Sequence, residues 1–147
     1  PKDGETKVTG FENITDAANI ALAGEDVPVG QYSREIFKNL GIEDDVNKME
    51  INEGKNVTDV LASVSEGSNE IGIVYATDAQ TENTNGDDKE VEIVATAEDS
   101  MMQTPVIYPV GTVSSSAHKD EAKAFEDFLQ TDEAKAILEK AGFTINE

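Results

Sequence analysis

The pattern of apolar and polar positions predicts alternating strands and helices over the first half of the chain. A short apolar run at 19–23 is typical of a buried strand, and residues 31–40 place apolar side chains on one helical face, with Gly41 after the end. Three further elements continue the pattern: a weak strand at 49–51, a helix over 56–64 and a buried strand at 71–75. This order is typical of α/β structure with a mostly parallel sheet flanked by helices.

The second half is predicted to contain two more strands and two helices. A polar loop over 80–90 leads to a strand at 91–95, where apolar and polar residues alternate, and a longer strand is predicted over 105–113. Helices are predicted over 119–130 and 132–141. Thr131 is suited to be the N-cap of the last helix and Gly142 its terminator.

Composition and charge narrow the class of protein. The chain has 147 residues, 37% of them hydrophobic, so it is large enough for a globular core. Its 11 basic and 31 acidic residues give a net charge of −20, which argues against nucleic-acid binding and against docking on anionic lipid. No apolar run approaches the ~20 residues that span a bilayer, and the absence of cysteine excludes disulfides and thiolate zinc sites.

No constellation in the sequence supports catalysis, a metal or a cofactor. Serines at 114–116 precede the single His118, but no nucleophile elbow surrounds them, and a helix-capping loop is the favoured interpretation. Residues 83–90 have the composition of a calcium loop without its spacing, so a hairpin loop is favoured there. The acidic clusters at 43–45 and 98–99 are predicted to be solvated surface. We therefore predict that the protein is not an enzyme and contains no metal site.

Two predicted helix starts and one tyrosine suggest an anion site made of uncharged donors. Helix N-termini present unpaired N–H groups and a partial positive charge, so the amides of Val29 and Val57 could bind an anion. Tyr75 ends the third predicted strand at the same sheet edge and could add a hydroxyl donor. Three residues next to Val29 and Val57 are expected to shape the turns that lead into the two helices: Pro28, Gly30 and Asn56. Every α/β domain has helix N-termini, however, and Tyr75 could instead be an edge aromatic packed on the next loop.

Five segments of the chain also carry a family resemblance in their order and spacing. They are Asn19–Tyr32, Gly54–Val57, Ile71–Ala79, Tyr108–Val110, and Phe125–Leu129 with Ala141–Phe143. Together, over roughly residues 8–146, they resemble the bacterial molybdate-binding proteins, the extracytoplasmic substrate-binding components of ABC transporters. The resemblance implies a type II periplasmic-binding-protein fold that closes on molybdate or tungstate. It also implies that Val29, Val57 and Tyr75 contact the oxyanion.

The resemblance further implies how the chain is divided into lobes, which partner it binds and where it is located. Residues 1–100 would form the second α/β lobe, and 101–147 a hinge strand and C-terminal helices returning to an incomplete first lobe. We expect a fragment that lacks the N-terminal half-lobe, with an exposed face that a second copy could cover. The expected partner is an ABC transporter permease, and the expected location is periplasmic or lipid-anchored at the cell surface. The alternatives are a sulfate- or phosphate-type receptor and an oxyanion-sensing regulatory domain of the same fold.

Overall fold

The computed structural model describes residues 1–84, 91–103 and 105–145. It divides the chain into two compact units, Pro1–Pro105 and Val106–Glu147. The predicted division into lobes lies between residues 100 and 101. The assignment of the two units to two lobes of a binding protein stays a prediction.

The first unit contains strands, α-helices and 3₁₀ turns in alternation. The strands are β1 Asn19–Ala23, β2 Glu50–Gly54 and β3 Ile71–Gly72. The α-helices are α1 Pro28–Leu40, α2 Glu43–Val46, α3 Val57–Ser65 and α4 Ala76–Thr84. Short 3₁₀ helices cover Phe11–Asp16 and Asp99–Met101. The second unit holds α5 Lys119–Leu129 and α6 Asp132–Lys140.

The strands of the described residues form a parallel sheet in the order β2–β1–β3. Ile20 of the central strand lies between Ile51 on one side and Ile71 on the other. Parallel neighbours need a crossover connection, and α1 and α3 supply the two crossovers. The chain moves from β1 to β2 in one direction and from β2 past β1 in the other. Right-handed crossovers therefore put α1 and α3 on opposite faces of the sheet.

The central strand separates two hydrophobic clusters because its side chains alternate between the two faces. Ile20 and Leu22 pack with Phe37 of α1 on one face. Ala21 and Ala23 lie on the other face, where small side chains let a helix approach closely. That second cluster, called the α3-side cluster below, also contains Val29, Val60, Leu61, Val64, Ala79 and Val91. The helix predicted over 56–64 thus contributes Val60, Leu61 and Val64 to the core, while Val57 is half-buried.

Local sequence signals set the helix ends as predicted. Gly41 follows α1 in the left-handed region, with φ 71°, which glycine adopts at little cost. Asn56 is the N-cap of α3, and its Oδ1 accepts the amide of Asp59 at 2.8 Å. Thr131 likewise caps α6, accepting the amide of Ala134 at 3.3 Å.

The strands predicted at 91–95 and 105–113 are wrong, because no strand is assigned within the described residues 91–103 and 105–145. The backbone of Val91 bonds instead to the side chain of Asn83, its N–H donating at 2.9 Å and its carbonyl accepting at 2.8 Å. The segment 105–113 is largely exposed, and its residue Thr112 bonds to Glu126 of α5. A segment in which apolar and polar residues alternate forms a strand only where the backbone of a neighbouring strand pairs with it.

Two further predictions near α4 need revision. The helix α4 includes residues 80–84, which were predicted as the start of a polar loop. The rest of that loop, residues 85–90, lies outside the described residues. Most of the segment with the composition of a calcium loop, residues 83–90, therefore lies outside them too. The strand predicted at 71–75 pairs regularly only to Gly72, although the amide of Ile73 still donates to the carbonyl of Ala21 at 3.3 Å. The chain then turns at Tyr75 into α4.

The second unit consists of its two predicted helices and an extended lead-in. The helices are confirmed within a residue of their predicted ends. Several large apolar side chains of this unit are exposed, among them Val113, Phe125 and Ile137. In the described parts of the chain, no helix has the length and apolar character needed to cross a membrane.

Candidate functional site

Three helices begin at one edge of the sheet. Because the strands are parallel, their carboxyl ends share an edge, and the chain leaves each strand there to enter α1, α3 or α4. The loops at this edge are joined directly, since the amide of Gly24 donates to the carbonyl of Gly54 at 3.0 Å. Three helix N-termini, each with unpaired amides and a partial positive charge, therefore gather on one side of the unit.

The same edge is a topological switch point. Helix α1 runs to the face that carries Ile20 and Leu22, because its Phe37 belongs to their cluster. Helix α4 runs to the opposite face, because its Ala79 packs with Ala21 in the α3-side cluster. Loops that leave neighbouring strands for opposite faces open a crevice beyond the strand ends, which is where open α/β sheets bind ligands.

The structure brings the three predicted contact residues to one cluster. Val29 is buried in the α3-side cluster although α1 packs mainly on the other face. Val57 and Tyr75 are half-buried and pack against that cluster. The apolar side chains thus anchor the first turns of α1 and α3 and the residue before α4 against a common core. The backbone groups of Val29 and Val57 are held near this edge by that anchoring.

At the start of α1 the geometry leaves the amide of Val29 without an intrahelical acceptor. Val27 is the N-cap residue, and its own amide donates to Gly24 at 3.0 Å. Pro28 occupies the first helical turn, where its lack of an N–H does no harm. No side chain of the described residues caps this end, so the Val29 amide has no side-chain acceptor either.

Gly30 is required by the close approach of α1 to the end of β1. A Cβ at this position would lie 2.5 Å from the carbonyl oxygen of Ala23, and closer still to that of Gly24. Both neighbours are backbone atoms, which cannot rotate away as a side chain can. The predicted shaping role of Gly30 therefore has a steric origin.

The start of α3 is held by a reciprocal pair of hydrogen bonds. While Asn56 accepts the amide of Asp59, the carboxylate of Asp59 accepts the amide of Lys55 at 3.1 Å. These bonds resemble a capping box and fix the entry of the chain into the helix. They engage the amides of Lys55 and Asp59 and not that of Val57, which lies at the first helical position.

Tyr75 has two features that bear on the site. Its carbonyl accepts the amides of Asp78 at 3.1 Å and Ala79 at 3.3 Å, so its backbone starts α4. Its ring packs on the α3-side cluster, which also suits the alternative of an edge aromatic. Burial raises the pKa of the Asp78 carboxyl, which lies in the first turn of α4.

Sequence reasoning missed Arg34, which lies one turn after Gly30 in α1. Its Nη1 donates to the carbonyls of Ala23 at 3.0 Å and Gly30 at 2.9 Å. The same guanidinium lies near two carboxylates, with 3.4 Å from Nε to Glu25 and 3.8 Å from Nη2 to Glu53. Its contacts join the end of β1, the first turn of α1 and the end of β2, which no apolar periodicity displays. One signal was available, because Arg34 is the only arginine in the chain.

The serine and histidine group lies in the turn before α5, where His118 is the N-cap residue and no side chain in the described part of the chain caps the helix. The amide of His118 donates to Oγ of Ser116 at 3.0 Å, and the carbonyl of His118 accepts the amide of Ala122, which starts α5. The imidazole Nδ1 lies 3.9 Å from Glu121 on the same exposed surface. Among the described residues, no group of three or more His, Asp or Glu side chains is arranged to hold a metal ion.

Comparison with known proteins gives a family match over nearly the whole chain. A family profile described as "Bacterial extracellular solute-binding protein" matches residues 1–144. A Bacillus subtilis (strain 168) protein, YvgL, named by inference as an ABC transporter substrate-binding lipoprotein, is 41% identical over 145 residues. That alignment covers 98% of this chain and 53% of YvgL. The molybdate-binding protein ModA of Escherichia coli (strain K12) is 32% identical over 139 residues, covering 93% of this chain and 50% of ModA.

Solved structures show the same fold. The substrate-binding domain of a Clostridium difficile protein, named by inference for a molybdenum ABC transporter, superposes with a TM-score of 0.79 at 30% identity. The match covers 96% of this chain and 59% of that one. The Azotobacter vinelandii periplasmic molybdate-binding protein matches at a TM-score of 0.59 and 17% identity, over 89% of this chain and 55% of that one, and supports the fold alone. The chain spans about half the length of the curated relatives it matches.

Proposed function

Because this chain belongs to the family of bacterial extracellular solute-binding proteins, we propose that it carries one part of an oxyanion-binding site, with molybdate or tungstate as ligand. The amides of Val29 and Val57 and the hydroxyl of Tyr75 donate to the oxyanion. Pro28, Gly30 and Asn56 hold the turns that present them. The site binds its ligand and releases it unchanged, so the protein is a receptor and not an enzyme.

One observation carries the proposal. Val29, Val57 and Tyr75 come from three separate loops, yet all three pack on the α3-side cluster at the carboxyl edge of the sheet. The shared edge follows from the parallel sheet, but the shared cluster does not, because α1 also packs Phe37 on the opposite face. The relative named for molybdate and the structural neighbour named for a molybdenum transporter support the choice of ligand.

Uncharged donors are physically sufficient for such a ligand. Fixed amide dipoles at helix N-termini stabilise an anion without reorganising, and they act strongly where water is excluded. The net charge of −20 opposes the approach of an anion only modestly, since charges on an exposed surface are screened over about 8–10 Å at physiological salt. The dipoles at the binding edge therefore determine the affinity.

The remaining parts of the proposal concern the whole protein to which this chain corresponds. We propose that it acts outside the cytoplasm, periplasmic or lipid-anchored, and delivers the oxyanion to an ABC transporter permease. Relatives named as an ABC transporter substrate-binding lipoprotein and as a molybdate-binding protein support this placement. Docking on a permease leaves the oxyanion chemistry unchanged, so the two parts can be tested separately.

Thermal unfolding of the chain with added oxyanions tests the ligand. Molybdate and tungstate should raise the midpoint of unfolding with increasing concentration, by linkage about 2.7 kcal/mol of added stability at 100 times the Kd. Sulfate and phosphate at the same ionic strength should raise it less. An equal rise with sulfate would contradict the selectivity and favour a sulfate-type receptor. No rise with any of the four anions would contradict the proposal.

Tyr75→Phe tests the hydroxyl donor by removing one oxygen atom. Its affinity for molybdate should fall by about 0.5–1.5 kcal/mol, the net contribution of one hydrogen bond. Tyr108→Phe is the matched control, because it makes the same chemical change at an exposed residue of the second unit. An unchanged Kd for Tyr75→Phe would remove Tyr75 from the site and favour its role as a packed edge aromatic.

A further inference from the structure

The guanidinium of Arg34 is bound on all three of its nitrogens at the edge where the oxyanion is proposed to bind. Nη1 donates to the carbonyl of Ala23, the last residue of β1, and to that of Gly30 in the first turn of α1. Nε and Nη2 face the carboxylates of Glu25 and Glu53. One side chain therefore joins the end of β1, the β1–α1 loop, the end of β2 and the first turn of α1.

The charge of Arg34 is balanced locally. The Arg34 side chain is 28% exposed, whereas those of Glu25 and Glu53 are 80% and 65% exposed. With two carboxylates within 4 Å, the guanidinium adds no net positive charge at this edge. Exposed ion pairs of this kind contribute little to stability, so the two carbonyl bonds are the more informative contacts.

The loop between β1 and α1 is tied to the helix a second time. Nε2 of Gln31 donates to the carbonyl of Glu25 at 3.0 Å, and within the loop the amide of Val27 donates to Gly24 at 3.0 Å. The loop that leads to Val29 is thus held by Arg34 at its start and by Gln31 at its middle. Both ties come from the first two turns of α1.

We propose that Arg34 is a positioning residue for the oxyanion site, which fixes the direction of the Val29 amide through its bonds to Ala23 and Gly30. The inference rests on the proposed function, because a fixed amide matters only if that amide binds a ligand. Arg34 itself does not touch the oxyanion. Lysine cannot replace it, because a single ammonium cannot reproduce a planar fork that contacts two carbonyls and two carboxylates at once.

The first test needs no ligand. Amide hydrogen exchange in Arg34→Lys should accelerate by about tenfold or more at Val27, whose N–H bonds within the loop, because opening that loop no longer breaks charge-assisted hydrogen bonds. Val60 in α3, whose amide bonds to Asn56, should exchange as in the unchanged chain. Equal exchange at Val27 in both chains would overturn the inference, whatever the protein binds.

The second test measures the affinity of the folded molecules for molybdate by NMR titration. Arg34→Lys should weaken binding by about tenfold, as expected for losing hydrogen bonds to a charged group, and added salt should not restore it. Lys48→Met is the control, because it also removes a cation, one that forms an exposed ion pair with Asp45 away from the β1–α1 loop. This variant should bind molybdate as the unchanged chain does. Because the titration follows signals of the folded protein only, a weaker affinity reports lost positioning and not a smaller folded fraction.

The outcomes distinguish the inference from the proposed function. If the unchanged chain binds molybdate and Arg34→Lys binds it equally well, the inference is wrong and the oxyanion site stands. A second outcome is that Arg34→Lys binds molybdate normally, whereas Arg34→Met binds it more weakly and regains affinity in high salt. Arg34 then acts through its charge, and the positioning role is again overturned. If the unchanged chain shows no binding while exchange at Val27 still accelerates, the proposed function fails and Arg34 only orders the loop.

Discussion

Gly30→Ala tests the steric argument on which the geometry of the oxyanion site depends. The added methyl group would lie 2.5 Å from the carbonyl oxygen of Ala23 and nearer still to that of Gly24, so α1 must move away from the end of β1. Overpacking a well-packed site costs typically ~1–3 kcal/mol. The upper value applies here because the atoms in contact are backbone, and the shift also disturbs the Arg34 bond to Gly30.

The expected loss must be reduced by a gain in helix propensity. Alanine is favoured over glycine inside a helix by about 1 kcal/mol, which leaves a net loss of about 2 kcal/mol. For a chain near 150 residues this corresponds to a fall in the unfolding midpoint of about 4–8 °C. The loss should appear in thermal and urea unfolding followed by circular dichroism.

Substitutions at two other glycines separate the possible causes of a loss of stability in Gly30→Ala. Gly111→Ala adds a methyl group where, apart from its chain neighbours, no atom of the described residues lies within 4 Å, and it should leave stability unchanged. Gly41→Ala also meets open space, but φ is 71°, so about 1 kcal/mol should be lost to backbone strain. If Gly30→Ala is no less stable than Gly111→Ala, then α1 does not approach β1 as described, and the steric argument fails.

Three further predictions concern the edges of the first unit. Asn56→Ala should cost about 1 kcal/mol in urea unfolding, because the amide of Asp59 loses its cap; a loss below about 0.3 kcal/mol would contradict the capping role. Burial raises the pKa of Asp78, so its ionisation is penalised in the folded state. That penalty is absent below the unfolded pKa and complete above the folded one. Asp78→Asn should therefore gain stability relative to the unchanged chain from about pH 3 to about pH 7, and a constant difference would refute this. Asn83→Ala should accelerate hydrogen exchange at Val91, and unchanged exchange would contradict their bond.

Elements with strong local signals were predictable from the sequence. The buried strand β1 and the helices α1, α3, α5 and α6 follow from apolar periodicity, and their ends follow from Asn56, Thr131 and Gly41. Helix α4 was partly missed because its residues form no apolar stripe, and Ala79 is its one buried residue in the described positions. Its position depends on packing against α3, which periodicity does not report.

The wrong strands and the missed arginine share a cause, because both depend on hydrogen-bond partners that apolar periodicity does not report. Alternation at 91–95 predicted a buried face that the structure does not form, because Ile93 is exposed and only Val91 is buried. The backbone of Val91 bonds to Asn83 instead of to a neighbouring strand. The apolar periodicity of α1 does not report the bonds of Arg34 to Ala23 and Gly30. The sequence predicts Val29, Val57 and Tyr75 as oxyanion contacts; the structure shows that they pack on one cluster, and their binding of an oxyanion stays a prediction.

The most direct measurement of the central claim is a crystal structure of the chain soaked in molybdate or tungstate, with the metal located by its anomalous scattering. We predict one oxyanion whose oxygens lie about 2.7–3.2 Å from the amide nitrogens of Val29 and Val57 and from the hydroxyl of Tyr75. An oxyanion bound elsewhere, or separate ions at Val29 and at Val57, would contradict the account.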